Sequence, residues 1–175
     1  SADEVAEIMK WASREAVGVL PFCGGSRLPA VSEDHPYVAV STSRLSGVEI
    51  YEAADLTVTA GAGTPFATID RVLRENRQWA PFNPPRVEDR SLGGLVALGE
   101  SGSLWMGYGE LRNHVLGMTV VTGDGRVLRL GGRVVKNVAG YDLIKPMVGS
   151  AGTLAVMTSV CLRAYPEPAV ELVLV

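Results

Sequence analysis

Apolar residues Val5, Ile8, Met9, Ala12 and Ala16 recur at steps of three and four. The chain therefore predicts an opening amphipathic helix through about the first fifteen residues, with Asp3 placed to cap it. The period then changes. Val17 to Phe22 reads as a short buried strand running into Cys23, Gly24, Gly25, Ser26 and Arg27, a glycine-rich turn closed by Pro29. Further strands are expected at Tyr37 to Ser41, at Val48 to Tyr51 by alternation, and at Leu56 to Ala60, which stops at Gly61 and Gly63. Thr64 followed by Pro65 marks a second helix start, hydroxyl as cap and proline at the first helical position, with Phe66, Ile69, Val72 and Leu73 on its buried face. This alternation of helices and strands favours a small sheet with crossover helices.

From Trp79 the texture changes. Pro81, Pro84 and Pro85 interrupt the chain, and glycine loops then separate short strands at Met118 to Thr122, Val127 to Leu130 and Thr153 to Leu162. Gly123, Asp124 and Gly125 between two of these form a hairpin signal. The expectation is a second lobe with a largely antiparallel sheet. Val170 to Val175 reads as a new strand that simply stops, an edge ready to pair and a sign that the chain is a fragment of something longer.

Composition narrows the function classes. Hydrophobic residues make up 47% of the 175, charged residues 20%, and the net charge is -3, so the chain is globular and no polyanion binder. Aromatic residues are only 6%, and no basic run interleaved with aromatics offers a stacking surface for nucleic acid. Cys23 and Cys161 lie in unlike settings and are read as reduced thiols; His35 and His114 have no metal-ligand spacing. With no signal peptide and no apolar run of membrane-spanning length, a soluble interior compartment is the default expectation.

Candidate chemistry concentrates in the glycines. Each one inside a structured segment costs backbone entropy, and such positions persist where the chain must turn through positive φ or approach a ligand closely. In Phe22 to Arg27, consecutive small residues after a strand let successive amide N–H groups converge on an anion, with Arg27 able to add a charge-assisted bond or to point into solvent. Taken alone, the segment is better read as an ordinary Gly-Gly turn. Cys23 invites a redox reading, but neither a histidine nor a second cysteine stands nearby in sequence to lower its pKa. Ser91, Leu92, Gly93 and Gly94, continuing through Ala97 and Gly99 to Ser101 and Gly102, form another cluster, followed by Tyr108, Gly109 and Arg112. Gly140, Gly149 and Gly152 punctuate the last. A P-loop is absent, and Phe66 stands where G-x-G-x-x-G needs its third glycine after Gly61 and Gly63, which disfavours a Rossmann site.

A glycine turn after a strand, two prolines before SLGG, a serine-glycine pair, Tyr-Gly, TVTAGAGTPF and GGRVVKNVAGYDLIKPMVGSAGTL together resemble the FAD-binding domain of the vanillyl-alcohol oxidase type of flavoprotein. Within that family the likeness is to bacterial glycolate oxidase subunits, and it covers nearly the whole chain. It implies an α+β fold of two lobes clasping FAD: a small α/β lobe at residues 1–65 with the pyrophosphate loop, a larger, mostly antiparallel lobe at 66–168, and the start of a cap domain at 169–175.

Carried over by the resemblance, the pyrophosphate loop falls on Phe22, Cys23, Gly24, Gly25, Ser26 and Arg27. A second FAD segment falls on Pro85 with Ser91, Leu92, Gly93 and Gly94, and a third on Ala97, Ser101 and Gly102. Tyr108 and Gly109 match a Tyr-Gly pair near the cofactor; Gly152, Thr153, Leu154 and Val156 match a strand at the adenine end. Cys23 and Ser26 depart from the usual glycine and threonine, and Ala155 from a common glycine. No histidine occurs in these loops, so the FAD implied is noncovalent and no metal is implied. The implied activity is oxidation of a small 2-hydroxy acid beside a flavin-binding D subunit and an iron-sulfur F subunit. The implied location is cytoplasmic, reaching the inner membrane only peripherally through that complex. Catalytic residues are not assigned. Arg133, Lys136, Tyr141 and Asp142 are the polar candidates nearby, the last two read as structural. Two other readings stand beside this one: a non-catalytic scaffold with an empty cofactor site, and a flavin reductase of the enolpyruvyl-sugar type.

Overall fold

The computed structural model describes residues 1–28, 34–132 and 141–170. Helix α1 (Ala2–Arg14) buries Val5, Ala6, Met9 and Ala12. Ser1, not Asp3, caps it: its hydroxyl accepts from the Glu4 amide while the Glu4 carboxylate accepts from the Ser1 N-terminal ammonium, a reciprocal box that adds an ion pair to the cap. Ile8 lies at the rim of the stripe, and Ala16 falls beyond the helix at φ +53°.

Strand β1 (Gly18–Phe22) pairs in parallel with β2 (Tyr37–Ser41), and β1 is half-buried rather than buried because this two-stranded sheet presents one side to solvent. The described residues between them hold no helix. Next, β3 (Val48–Glu52) and β4 (Thr57–Gly61) form an antiparallel pair. Among the described residues, none of the expected crossover helices joins these early strands.

Helix α2 (Phe66–Arg74) buries Phe66, Ile69 and Leu73, but Pro65 itself is its N-cap, at φ -58° and ψ 135°. The Thr64 hydroxyl instead exchanges hydrogen bonds with Gly47, accepting from its amide at 2.9 Å and donating to its carbonyl at 3.2 Å. β5 (Gln78–Trp79), α3 (Leu92–Leu98) and α4 (Trp105–Tyr108) follow, then the hairpin of β6 (Val115–Thr122) and β7 (Val127–Gly131) at the Gly-Asp-Gly signal. A one-turn α5 (Ile144–Met147) leads to β8 (Ala155–Arg163), and β9 (Tyr165–Pro166) pairs with β5.

Five strands make one antiparallel sheet in the order β3-β4-β8-β6-β7. Thus β3 and β4, early in the chain, belong to the large sheet. Its central strands β4, β8 and β6 are largely buried on both faces. Val121 and Val156, cross-strand partners, meet Val5, Ala6 and Met9 of α1, while Val120, Met157 and Val160 join α2 and α3 residues such as Ile69, Leu73 and Leu95 in the main core. Alternation along β8 thus serves two cores at once, which explains its nearly unbroken apolar run.

Candidate functional site

Between β1 and the start of β8 opens a cleft of about 290 Å³. One wall is the loop after β1. Its root is fixed by Thr42, whose amide and hydroxyl both donate to the Phe22 carbonyl, at 2.8 and 3.1 Å. Gly25 then turns at φ +66° with open space where a side chain would stand. Among the described residues, no protein acceptor takes the amides of Gly24, Gly25 and Ser26. Backbone N–H groups on a concave surface without partners form an anion-binding nest.

The opposite wall is α3. Ser91 caps it by accepting from the Gly94 amide, and Gly93 lies flat on Ala62: its amide donates to the Ala62 carbonyl at 2.7 Å, and an added Cβ would stand 2.9 Å from the Ala62 Cβ. Gly94 and Ala97 leave the helix surface facing the cleft bare of large side chains. Gly152 closes the floor at φ +78°, with Pro21 Cγ 3.0 Å from where its Cβ would be, and Ala155, Val156 and Met157 supply apolar lining.

Charged side chains stand at one edge. Arg90, only 6% exposed, donates through Nη2 to Glu100 Oε2 at 2.7 Å, and Arg27 pairs with the other oxygen of the same carboxylate. Arg27 therefore has a protein partner rather than pointing freely into solvent. Asp89 also reaches the cleft and is held by Arg86 at 2.8 Å.

Of the residues picked out from the sequence, Phe22, Cys23, Gly24, Gly25, Ser26 and Arg27 line this cleft, as do Ser91, Gly93, Gly94, Ala97, Gly152 and Val156. The others lie elsewhere. Leu92 is core; Pro85 is exposed; Ser101 accepts the Leu111 amide at 2.8 Å; Gly102 turns at φ +74° against Asn83. Thr153 and Leu154 line an adjoining cavity of about 450 Å³ beside α1. Tyr108 stacks edge-on with Trp79 and Tyr165, and Gly109 follows it at φ +88°. Asp142 accepts the Ile144 amide and faces Lys145 at 3.3 Å, a local structural role, whereas Tyr141 is exposed. Pro29, Arg133, Lys136, Gly140 and all but the exposed Val170 of the strand expected at Val170 to Val175 lie outside the described residues. Thr42, Ala62, Arg90 and Met157 line the cleft unannounced, because isolated residues of ordinary type carry no sequence signal.

His114 shares the aromatic cluster of Tyr108, standing 5.5 Å from the Tyr165 ring and 6.4 Å from that of Phe82. It is fully buried, and its ring nitrogens make no hydrogen bond among the described residues. Burial pushes its pKa down, Arg163 adds to this, and the nearby carbonyls of Gly109 and Tyr108 oppose it in part.

Residues 1–131 match the family described as an FAD binding domain. The chain belongs to that family. This FAD-binding domain is 43% identical over 127 residues to glycolate oxidase subunit GlcE of Escherichia coli (strain K12), covering 72% of this chain and 36% of the relative. It is 33% identical over 170 residues to a D-lactate dehydrogenase of Archaeoglobus fulgidus, 95% of this chain and 38% of that one. The chain thus spans little more than a third of the length of these relatives. Its fold matches a solved alkyldihydroxyacetonephosphate synthase with a TM-score of 0.82 at 23% identity, over 95% of this chain and 30% of the other. The α+β architecture of the vanillyl-alcohol oxidase type accordingly holds. The cleft fits the cofactor: open amides, bare glycine walls and the half-exposed Arg27 at its edge suit a diphosphate flanked by rings. No helix among the described residues is long and apolar enough to cross a membrane.

Proposed function

We propose that this chain is the FAD-binding part of a flavoenzyme that oxidises a short 2-hydroxy acid, and that it holds FAD noncovalently in the cleft between β1, α3 and β8. The observation that carries the reading is the set of open amides at Gly24, Gly25 and Ser26 facing a cleft walled by Gly93, Gly94 and Gly152. A diphosphate would take those N–H groups, while Ala97, Val156 and Met157 offer apolar surface to a ring system. Bound FAD supplies the electron-pair acceptance that oxidation of an alcohol needs. Noncovalent attachment is supported by the position of both histidines, neither of which lines the cleft.

Glycolate and D-lactate, named in two relatives, are both short 2-hydroxy acids, which supports that substrate class. The chain covers little more than a third of these relatives' length, which supports placing the clamp for the substrate carboxylate and the base for its hydroxyl in a further domain or in partner subunits, a second flavin-binding subunit and an iron-sulfur subunit among them. The assembly works in the cytoplasm, reaching the inner membrane only as a peripheral complex.

Titration of the purified protein with FAD tests the central claim. Saturable quenching of flavin fluorescence, with FAD recovered intact after acid denaturation, is expected. Protein that stays colourless in excess FAD would mean a scaffold with an empty site; flavin that stays on the denatured chain would overturn noncovalent attachment.

A further inference from the structure

At the edge of the cleft, Arg27, Glu100 and Arg90 form one charged trio. Glu100 follows Gly99, the left-handed cap of α3 at φ +66°, and this turn directs its carboxylate back toward the loop after β1. One carboxylate oxygen takes Arg90 and the other takes Arg27. The two arginines are not equivalent. Arg90 is buried at 6% exposure and its backbone carbonyl accepts the Phe66 amide at 2.8 Å, so it cannot leave Glu100 without stranding a buried cation. Arg27 is 53% exposed, sits at the end of the amide nest, and can exchange partners at little cost.

We propose that Glu100 is a positioning residue that parks Arg27 at the edge of the cleft, and that Arg27 moves from the Glu100 carboxylate to the FAD diphosphate on binding while Arg90 stays with Glu100. The inference rests on the FAD reading of the cleft. Before binding, the trio carries one net positive charge and presents no unpaired cation to other anions. A diphosphate already held by the amides of Gly24 to Ser26 brings two charges within reach of Arg27 and outcompetes a single carboxylate that keeps Arg90 as its partner. Affinity is thereby set by a difference between two ion pairs, and Glu100 acts as an internal competitor for the cofactor.

The test is equilibrium titration with FAD at several salt concentrations on wild type, Arg27→Gln, Glu100→Gln and the double variant, with thermal melts alongside. Arg27→Gln should weaken FAD binding by about tenfold and flatten its salt dependence, since a charge-assisted bond to phosphate is lost. Glu100→Gln removes the competitor and should tighten binding by about three- to tenfold with a steeper salt dependence. In the Arg27→Gln background the same change should have much less effect. Should Glu100→Gln fail to fold, Glu100→Asp shortens the side chain, keeps a carboxylate for Arg90 and withdraws it from Arg27, and a smaller tightening is expected. Wild-type protein that takes up no FAD overturns the cofactor reading itself. Wild type that binds FAD while Arg27→Gln leaves affinity and salt dependence unchanged, or while Glu100 variants weaken binding, overturns the exchange alone.

Discussion

Two glycines near the cleft separate folding from binding. At Gly63, an added Cβ would stand 2.1 Å from the Thr42 carbonyl oxygen and 3.0 Å from that of Leu45, both backbone atoms that cannot swing aside. Gly63→Ala should therefore destabilise the fold by about 3 kcal/mol or more, visible as a lowered urea midpoint. A Cβ added at Gly25 would meet nothing within 4 Å, so a residue there strains only its own left-handed backbone, at about 1–2 kcal/mol. Gly25→Asp should fold and yet show no flavin quenching, because it sets a carboxylate against the diphosphate in a partly desolvated nest. If Gly25→Asp binds FAD as wild type does, the loop after β1 is not the diphosphate cradle.

At the scale of elements, the β6-β7 hairpin was legible because Gly123-Asp124-Gly125 fixes a turn locally, and β2 because its alternation is undisturbed. Sheet membership was not: β3 and β4 read as members of a first lobe, but their place in the large sheet depends on the pairing of β4 with β8, about a hundred residues later. The same limit applies to the site. Glycine clusters announce themselves because each costs entropy, whereas the Arg27–Glu100–Arg90 trio joins positions 73 and 10 residues apart that only the fold brings together. Nor does motif order say which wall a residue faces: Ser101 stands in a neighbouring loop and Tyr108 at the end of α4, both outside the cleft. Tyr108 leads to the element-scale prediction, since its cluster at the head of β6 encloses His114. Burial lowers the His114 pKa below its ordinary 6.5, so the unfolded chain binds this proton more readily than the folded one. Stability from this group is complete above pH 6.5 and falls as pH drops through that value, until the lower folded-state pKa is reached. Urea midpoints measured between pH 5 and 8 should decline on the acid side, and His114→Leu should remove that part of the decline; a decline unchanged in the variant would assign it to carboxylates instead.

For the whole molecule, the cleft is built mainly from three segments far apart in sequence, the loop after β1, the stretch from Asp89 through α3, and Ala151 to Met157, with Thr42 and Ala62 between them. The loop after β1 is anchored by Thr42 at its root and by the Arg27–Glu100 ion pair at its far end, while α3 and β8 rest on the main core. A ligand held by all three segments binds only when they are assembled, so its binding energy adds to the stability of the folded state. At a free FAD concentration one hundred times the dissociation constant, the gain is about 2.7 kcal/mol. For a chain of this length that corresponds to a rise in melting temperature of roughly 5–10 °C. Thermal melts across an FAD series should show that rise growing with the logarithm of concentration in wild type and vanishing in Gly25→Asp. The chain should also melt in one transition at every FAD concentration, because β8 packs into both cores and ties the small parallel sheet to the large antiparallel one. Two transitions, with only the first shifted by FAD, would mean that β1 and β2 unfold apart from the five-stranded sheet and that the ligand is gripped by one segment rather than three.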